Sequence, residues 1–511
     1  MSGFRRYASI AIAGSGPIRA VLGTGLALLV GSLCLFGDCE ATRRCRLLAG
    51  TLGEVGTAFS DAGMQWMVFV CTSLYCLGFA VLCRQQAGGG MNWTTWKVSP
   101  PSELWLAGLL AAAAWKYLDY TQAVKSTSAL SLLGSMALGQ AAGLWEGARE
   151  KQAEGKECRG IVGGVLIVLL VGAVAWQTEA GYLFRYNGRA RWNGPWDNPN
   201  TFGVLMGVGV VLAVGSLAER LKAKGQRLQP EPGTSAGSQY PIPDILHPKL
   251  RGRLLNALLL MAAAALGVGL VKSYSRGAWV GTIAGLAFLI YQTRNSGNCT
   301  ARAAKESGRR SRAPTRASLA VSVALLSLGT LGFWGFQHSE GMVTRRVCSM
   351  ANVNDFSWRK RVAAYEGAMQ MLADRPWFGF GWNQPERSYG TFYRQAKVDE
   401  SGAIQLNDYL MLGMTLGIPA LACFGVYLWL ALSLGSLPAS CNSPMSEADW
   451  LKAICRAGAV VLLAGFWLEG GLLKLATGAT FWTLLELGRD EPEAARIDNS
   501  SRSGRSHLRI S

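Results

Sequence analysis

The sequence predicts an all-α fold, a polytopic bundle of about twelve transmembrane helices with a long, partly helical outer loop. Three observations predict it. Half of the 511 residues are hydrophobic and only 16% are charged, too few charges for a soluble chain of this length. The hydrophobic residues come in blocks of about 17–22, each long enough to cross a hydrocarbon core of ~30 Å. Gly and Ala crowd those blocks, with 63 glycines in all, which suits helices packed on one another in lipid.

Arg5, Arg6 and Arg19 stand at the head of the first span, 18–37. That run is too long for a signal-peptide core and no cleavage site follows, so it reads as a retained helix. The next blocks are 64–83, 102–118, 127–145 and 160–178. Lys116 and Asp119 end the third span, at an edge where charges snorkel to the interface. Asp197 or Asn198 can cap the sixth span, 199–218, with Pro199 in its first turn. Spans seven and eight, 254–271 and 276–292, meet in a turn of a few residues. Spans 317–336 and 404–433 enclose the longest outer segment, 337–403, too long for a mere connector. The last two, 453–469 and 471–488, rest on reading Glu469-Gly470-Gly471 as a hairpin. Without that hairpin the count falls by one and the C-terminus changes sides. Glu469 and Lys474 flank it, again near an edge.

Orientation follows from the two most basic short loops. One is 219–253, with Arg220, Lys222, Lys224, Arg227, Lys249, Arg251 and Arg253. The other is 293–316, with Arg294, Arg302, Lys305, Arg309, Arg310, Arg312 and Arg316. Alternating helices put both on one side, which is therefore cytoplasmic, and both termini join them there. Stretch 225–243 is a flexible linker. The chain thus divides into a transmembrane domain, 1–488, including the outer loop 337–403, and a polar, disordered cytoplasmic tail, 489–511.

The net charge of +18 does not mark a nucleic-acid binder, because most of it lies between hydrophobic blocks. The 12 cysteines show no CxxC pair and no His spacing, so no metal site is expected. Cys39 and Cys45 share an outer loop and can either pair or stay as thiols.

The outer face breaks the charge rule. Loop 179–198 has Arg185, Arg189 and Arg191, and the turn after span seven has Lys272 and Arg276. A cation at a helix N-terminus is unfavourable by roughly 0.3–1 kcal/mol. Lys272, Arg276 and the helix N-terminus together make an anion site, though a snorkelling Arg on a lipid phosphate also fits. The run Asn198-Pro199-Asn200 either caps span six or aims backbone N–H groups at the same anion. In Ser357–Leu372, residues Val362, Tyr365, Met369 and Leu372 recur at helical spacing, and Asp374-Arg375-Pro376-Trp377-Phe378-Gly379-Phe380-Gly381 ends the helix with aromatics. This predicts a helix on the outer membrane surface, with Arg361 on its inner flank or on a solvated basic face. Asn407, Asp408 and Tyr409 enter the tenth span as polar residues that line a cavity or cap the helix.

In this order the pieces resemble a family. Arg191…Gly194…Asn198-Pro199-Asn200, Ser275-Arg276-Gly277-Ala278-Trp279, Arg361 with the Asp374–Gly381 run, and Asn407-Asp408-Tyr409-Leu410 before Gly417-Ile418-Pro419 are similar to the O-antigen ligase / O-antigen polymerase superfamily over roughly 180–430. The resemblance implies a GT-C-like glycosyltransferase of the bacterial inner membrane. Such proteins move a glycan from undecaprenyl pyrophosphate to an acceptor, lipid A-core in the ligases, and use neither nucleotide nor metal. It implies that Arg276 and Arg361 grip the pyrophosphate, joined by Arg191. Asn198, Asn200, Lys272, Asn407 and Tyr409 are the further substrate-binding candidates. One departure stands out. The family commonly has a His before the Asn-Asp/Glu-Tyr/Phe-Leu run, a candidate base for the acceptor hydroxyl. Here that position is Leu406, Ile404 replaces a second frequent His, and His247, His338 and His507 lie elsewhere. Either another group is the base or none is needed. Asp399, Glu400, Glu366 and Asp408 are candidates, with Asp408 favoured by position. The alternatives to a ligase are an O-antigen-type polymerase, a transporter of inorganic carbon or another small anion, and a non-catalytic assembly partner. A transporter predicts broken helices or charges near the bilayer midplane.

Overall fold

A computed structural model of the chain describes residues 156–178, 183–186, 189–227, 248–306, 356–394, 407–433 and 446–489, apart from 195, 197 and 383, with scattered helical residues between 128 and 142. The expected spans 18–37, 64–83, 102–118 and 317–336, together with Cys39, Cys45, the three histidines, Asp399, Glu400 and the tail from 490, lie outside the described residues.

The described part is mostly helical. The helices are α1 (Lys156–Thr178), α2 (Pro199–Arg227), α3 (Pro248–Lys272), α4 (Arg276–Glu306), α5 (Phe356–Asp374), the single turn α6 (Pro385–Ser388), α7 (Asp408–Leu416), α8 (Ile418–Ser433), α9 (Glu447–Leu468) and α10 (Leu475–Leu487). Among the described residues, three stretches are long and apolar enough to cross a membrane, Pro199–Leu221, Gly252–Lys272 and Glu447–Leu468. Arg159–Ala173 and Ile418–Leu432 are shorter apolar helices.

Helix α2 is the centre of the bundle and touches α1, α3, α4 and α9. Its Phe202, Leu205, Val208 and Leu212 are wholly buried. Glycines at one-turn intervals let α4 and α9 approach closely. A Cβ on Gly281 would stand 2.7 Å from the Val461 carbonyl oxygen, and one on Gly285 would stand 2.8 Å from that of Ala457. Small residues of this kind replace the missing hydrophobic drive between helices in lipid. At one end of the bundle, Arg159 of α1 pairs with Glu219 of α2 and, at 2.8 Å, with Glu447 of α9.

Two expectations need correction. The all-α expectation missed a hairpin. Strand β1 (Leu183–Tyr186) pairs antiparallel with β2 (Arg189–Trp192), Leu183 opposite Trp192 and Tyr186 opposite Arg189. In the sequence β1 is followed by Asn187-Gly188, a dipeptide that favours hairpins. The single tenth span, 404–433, is in fact two helices broken at Gly417, whose φ is 90°. The rings of Tyr409 in α7 and Phe424 in α8 lie 6.2 Å apart. On one straight helix, residues this far apart in sequence would be separated by about 22 Å. The chain therefore folds back, and α8 is the segment left to enter the membrane. With its 9 residues, α7 is too short to cross and packs on α5.

A clasp of backbone hydrogen bonds fixes this arrangement. Phe380 N–H donates to the Met414 carbonyl (2.7 Å), Gly381 N–H to that of Thr415 (3.0 Å), and Ile418 N–H to that of Pro376 (2.7 Å). Gly379, at φ 62°, lies so close that a Cβ there would meet the Met414 oxygen at 2.4 Å. The glycines of the Asp374–Gly381 run thus serve backbone contact with the end of α7.

Helix α5 also turns differently from the expected apolar stripe. Ala364, Ala368 and Met371 are wholly buried in a cluster with Met411 and Met414 of α7, whereas Val362 and Met369 are exposed. Small residues win the packed face because α5 and α7 lie close together.

Candidate functional site

The sequence-predicted residues gather in two groups that meet at the first turn of α4. The first group surrounds the turn between α3 and α4. Arg191 at the end of β2 is buried and donates from Nε to the Ser273 carbonyl (2.8 Å) and from Nη2 to Asn200 Oδ1 (2.8 Å). It ties the hairpin to both the turn and the start of α2. Asn198 Oδ1 accepts from Asn200 N–H at 2.8 Å, a capping contact. Ser275 Oγ accepts from Ala278 N–H (3.2 Å) and caps α4. Tyr274 takes a positive φ of 51° to make the reversal between the helices. Lys272 is the last residue of α3, where a cation is favourable, and Arg276 is the first of α4. Both are half-buried.

The second group surrounds the turn between α9 and α10. Gly470 and Gly471 adopt φ of 70° and 135°, so the expected hairpin is present. Its first residue, Glu469, is buried, and its Oε2 lies 3.4 Å from Arg361 Nη2 of α5. On its other side, a Cβ on Gly277 would meet Glu469 Cγ at 2.7 Å and Oε1 at 2.9 Å. Glu469 is thus wedged between α5 and the start of α4, next to Arg276. Gly277 continues the α4 stripe outward and leaves the space this carboxylate fills. Tyr365 OH donates to the Trp467 carbonyl (3.3 Å), a second tie between α5 and α9.

Helix α7 closes the group. Asn407 caps it, with Oδ1 accepting from the Tyr409 and Leu410 amides at 3.1 Å each. Its buried Nδ2 has no hydrogen-bond partner among the described residues, and neither does Arg361 Nε. Both are donors, and an anion or a sugar oxygen is what such donors would accept as a partner. Asp408 accepts from Leu472 N–H at 2.6 Å. Burial pushes its carboxyl up to about 7, against the opposing pull of the Leu472 amide, Lys474 and the Gly471 amide. Tyr409 turns into the bundle, where its OH donates to the Leu463 carbonyl (2.8 Å) and its ring packs 5.7 Å from that of Trp467.

The structure therefore brings Arg276, Arg361, Asn407 and Asp408 around one turn, and Arg191, Asn198, Asn200 and Lys272 around the adjacent one. Tyr409 points away from both, towards α9. Glu469 is the residue that sequence reasoning missed. Its available signal was an acidic residue directly before a Gly-Gly turn on the arginine-rich side.

Residues 260–425 match the family model described as O-antigen ligase. The match runs from α3 into α8 and includes Lys272, Arg276, Arg361 and Asn407–Tyr409, while Arg191, Asn198, Asn200 and Glu469 lie outside it. No curated protein and no solved structure matches the chain. The chain is an apolar, helical membrane protein, and its residues 260–425 carry a domain similar to O-antigen ligase.

Proposed function

We propose that the protein transfers a polysaccharide from undecaprenyl pyrophosphate to an acceptor at the outer face of the bacterial inner membrane. The observation that carries this is the meeting of Arg361 and the first turn of α4, which begins with Arg276, on one buried carboxylate, Glu469. Two elements far apart in sequence thereby come together, one carrying Arg361 and the other beginning with Arg276. A guanidinium fork binds two phosphate oxygens, and two such forks match a diphosphate. Lys272 and the positive end of α4 add to the same field. Asn407 Nδ2 supplies a neutral donor, and Arg191, Asn198 and Asn200 hold the turn from behind.

The acceptor hydroxyl oxygen attacks the anomeric carbon with inversion. The bond from that carbon to the phosphate oxygen breaks, and its electron pair leaves with the diphosphate. Arg276 and Arg361 stabilise the charge as it develops there, the kind of electrostatic help whose removal costs ~10²–10³ in rate per donor. Asp408, fixed on the Leu472 amide, keeps the Glu469–Lys474 turn in register with α7. The transporter alternative gains little from the break at Gly417, which lies beside the outer-face loop Pro376–Gly381.

Reconstitution tests the proposal. Purified protein is mixed with undecaprenyl-pyrophosphate glycan and acceptor, alongside Arg276→Ala and Arg361→Ala. The expected result is transfer by the native protein and loss in both variants. Transfer undiminished by either change would remove the arginines from the reaction. Flux of an anion across vesicles without transfer would favour the transporter.

A further inference from the structure

Glu469 lies outside the stretch that matches the family and outside every motif in the sequence that resembles it. Its side chain is 5% exposed and faces Arg361, whose Nη2 is 3.4 Å away. Its Cγ and Oε1 lie against Gly277, one residue after Arg276. A buried carboxylate thus stands among the elements that carry both proposed diphosphate ligands. The position that resembles the family's base is Leu406, which has no titratable group. Asp408 is bound to the Leu472 amide, and Asp374 accepts from Tyr393 OH.

We propose that Glu469 is the proton acceptor of the transfer reaction, and that before the donor binds it is the counter-ion of Arg361. The inference rests on the transfer reading above. A diphosphate offers Arg361 two oxygens in place of one carboxylate contact at 3.4 Å, so it displaces Glu469 from the guanidinium. The freed carboxylate then has an oxygen open to a hydrogen bond from the acceptor hydroxyl. The acceptor O–H proton passes to a Glu469 oxygen. The acceptor oxygen forms its bond to the anomeric carbon, and the carbon–oxygen bond to the diphosphate breaks, its electrons leaving with the diphosphate. No further reactant is required. The turn that carries Glu469 is anchored for this task, because Asp408 of α7 holds the Leu472 amide three residues later.

The experiment uses the full chain in proteoliposomes with undecaprenyl-pyrophosphate glycan and acceptor. In Glu469→Gln, kcat is expected to fall by about 10²–10⁴. The donor KM is expected to stay level or drop, because Arg361 has lost its competitor. Added formate, a small carboxylate, restores part of the turnover of Glu469→Ala. Glu469→Asp keeps a carboxylate and retains more turnover than Glu469→Gln. An undiminished kcat in Glu469→Gln, equal losses in the Asp and Gln variants, or a raised donor KM at native kcat would each overturn the assignment while leaving the transfer reading in place. Absence of transfer by the native protein would overturn both.

Discussion

Arg361 and Glu469, 108 residues apart in sequence, form an ion pair at 3.4 Å that joins the surface helix α5 to the α9–α10 turn. Their side chains are 13% and 5% exposed, so the carboxylate is the more deeply desolvated partner. Removing the arginine leaves that charge buried and unpaired, whereas removing the carboxylate leaves a cation closer to water.

This asymmetry predicts an order of stabilities. Arg361→Ala is expected to destabilise the protein by about 3 kcal/mol, the lower end for breaking a buried pair. Glu469→Gln should cost less. Arg361→Ala with Glu469→Gln should be more stable than Arg361→Ala, because the stranded charge is gone. Thermal unfolding of the detergent-solubilised proteins measures all three. A double variant less stable than both singles would show that the pair does not couple α5 to the bundle. The same series separates lost binding from lost folding when Arg361→Ala is assayed for transfer.

The α4–α9 contact makes a second prediction. A side chain on Gly281 must displace the Val461 carbonyl, 2.7 Å from the Cβ position. Backbone cannot swing aside as a long side chain can, so Gly281→Val is expected to cost roughly 1–3 kcal/mol. The control is Gly163→Ala in α1, where no atom lies within 4 Å of the added Cβ. Helix propensity then favours Ala, and stability should be unchanged or slightly raised. Equal unfolding temperatures for the two variants would contradict the close approach of α4 and α9. The outer end of the stripe should behave differently. Gly277→Ala presses on Glu469 and is expected to reduce transfer more than its effect on stability alone would.

Much of this was legible in the sequence, for a physical reason. Hydrophobic length reports a helix that must satisfy its own backbone, and so α1, α2, α3, α4, α9 and α10 fall near the blocks that predict them. The break at Gly417 was not legible from hydropathy, because α7 and α8 are both apolar and form one continuous block. Gly417-Ile418-Pro419 was its local signal, and the backbone clasp from Pro376–Gly381 is what turns that signal into a fold-back. The β1–β2 hairpin was hidden because its strands have four residues each, too few to show a clear alternation, although Asn187-Gly188 is a sequence signal for it. Arg276 stood out because a cation in a short loop on the face expected to lie outside runs against the positive-inside rule, and Arg361 through the resemblance of its stretch. Glu469 did not, because a lone acid at a helix edge is unremarkable until its partner is known.

Asp408 carries the last prediction, a dependence of stability on pH. Its carboxyl is raised from 3.8 to about 7 by burial. The folded protein therefore binds this proton more tightly than the unfolded chain does. The sign follows from linkage: the stabilisation is fully present below the unfolded value, 3.8, and is lost as pH rises through about 7. Asp408→Asn removes the titration and keeps an oxygen to accept from the Leu472 amide. Its unfolding temperature should vary less between these two values than that of the native protein, and near neutral pH it should equal or exceed it. Above about 7 the native carboxylate is charged and buried, held by the Leu472 and Gly471 amides and by Lys474. Lys474→Gln is therefore expected to lower stability at pH 8 and to leave it unchanged at pH 4. Thermal unfolding of the three proteins across this range is the measurement. Parallel curves for the native protein and Asp408→Asn would show that Asp408 does not titrate there, and that the α7 contact with the turn is independent of its charge.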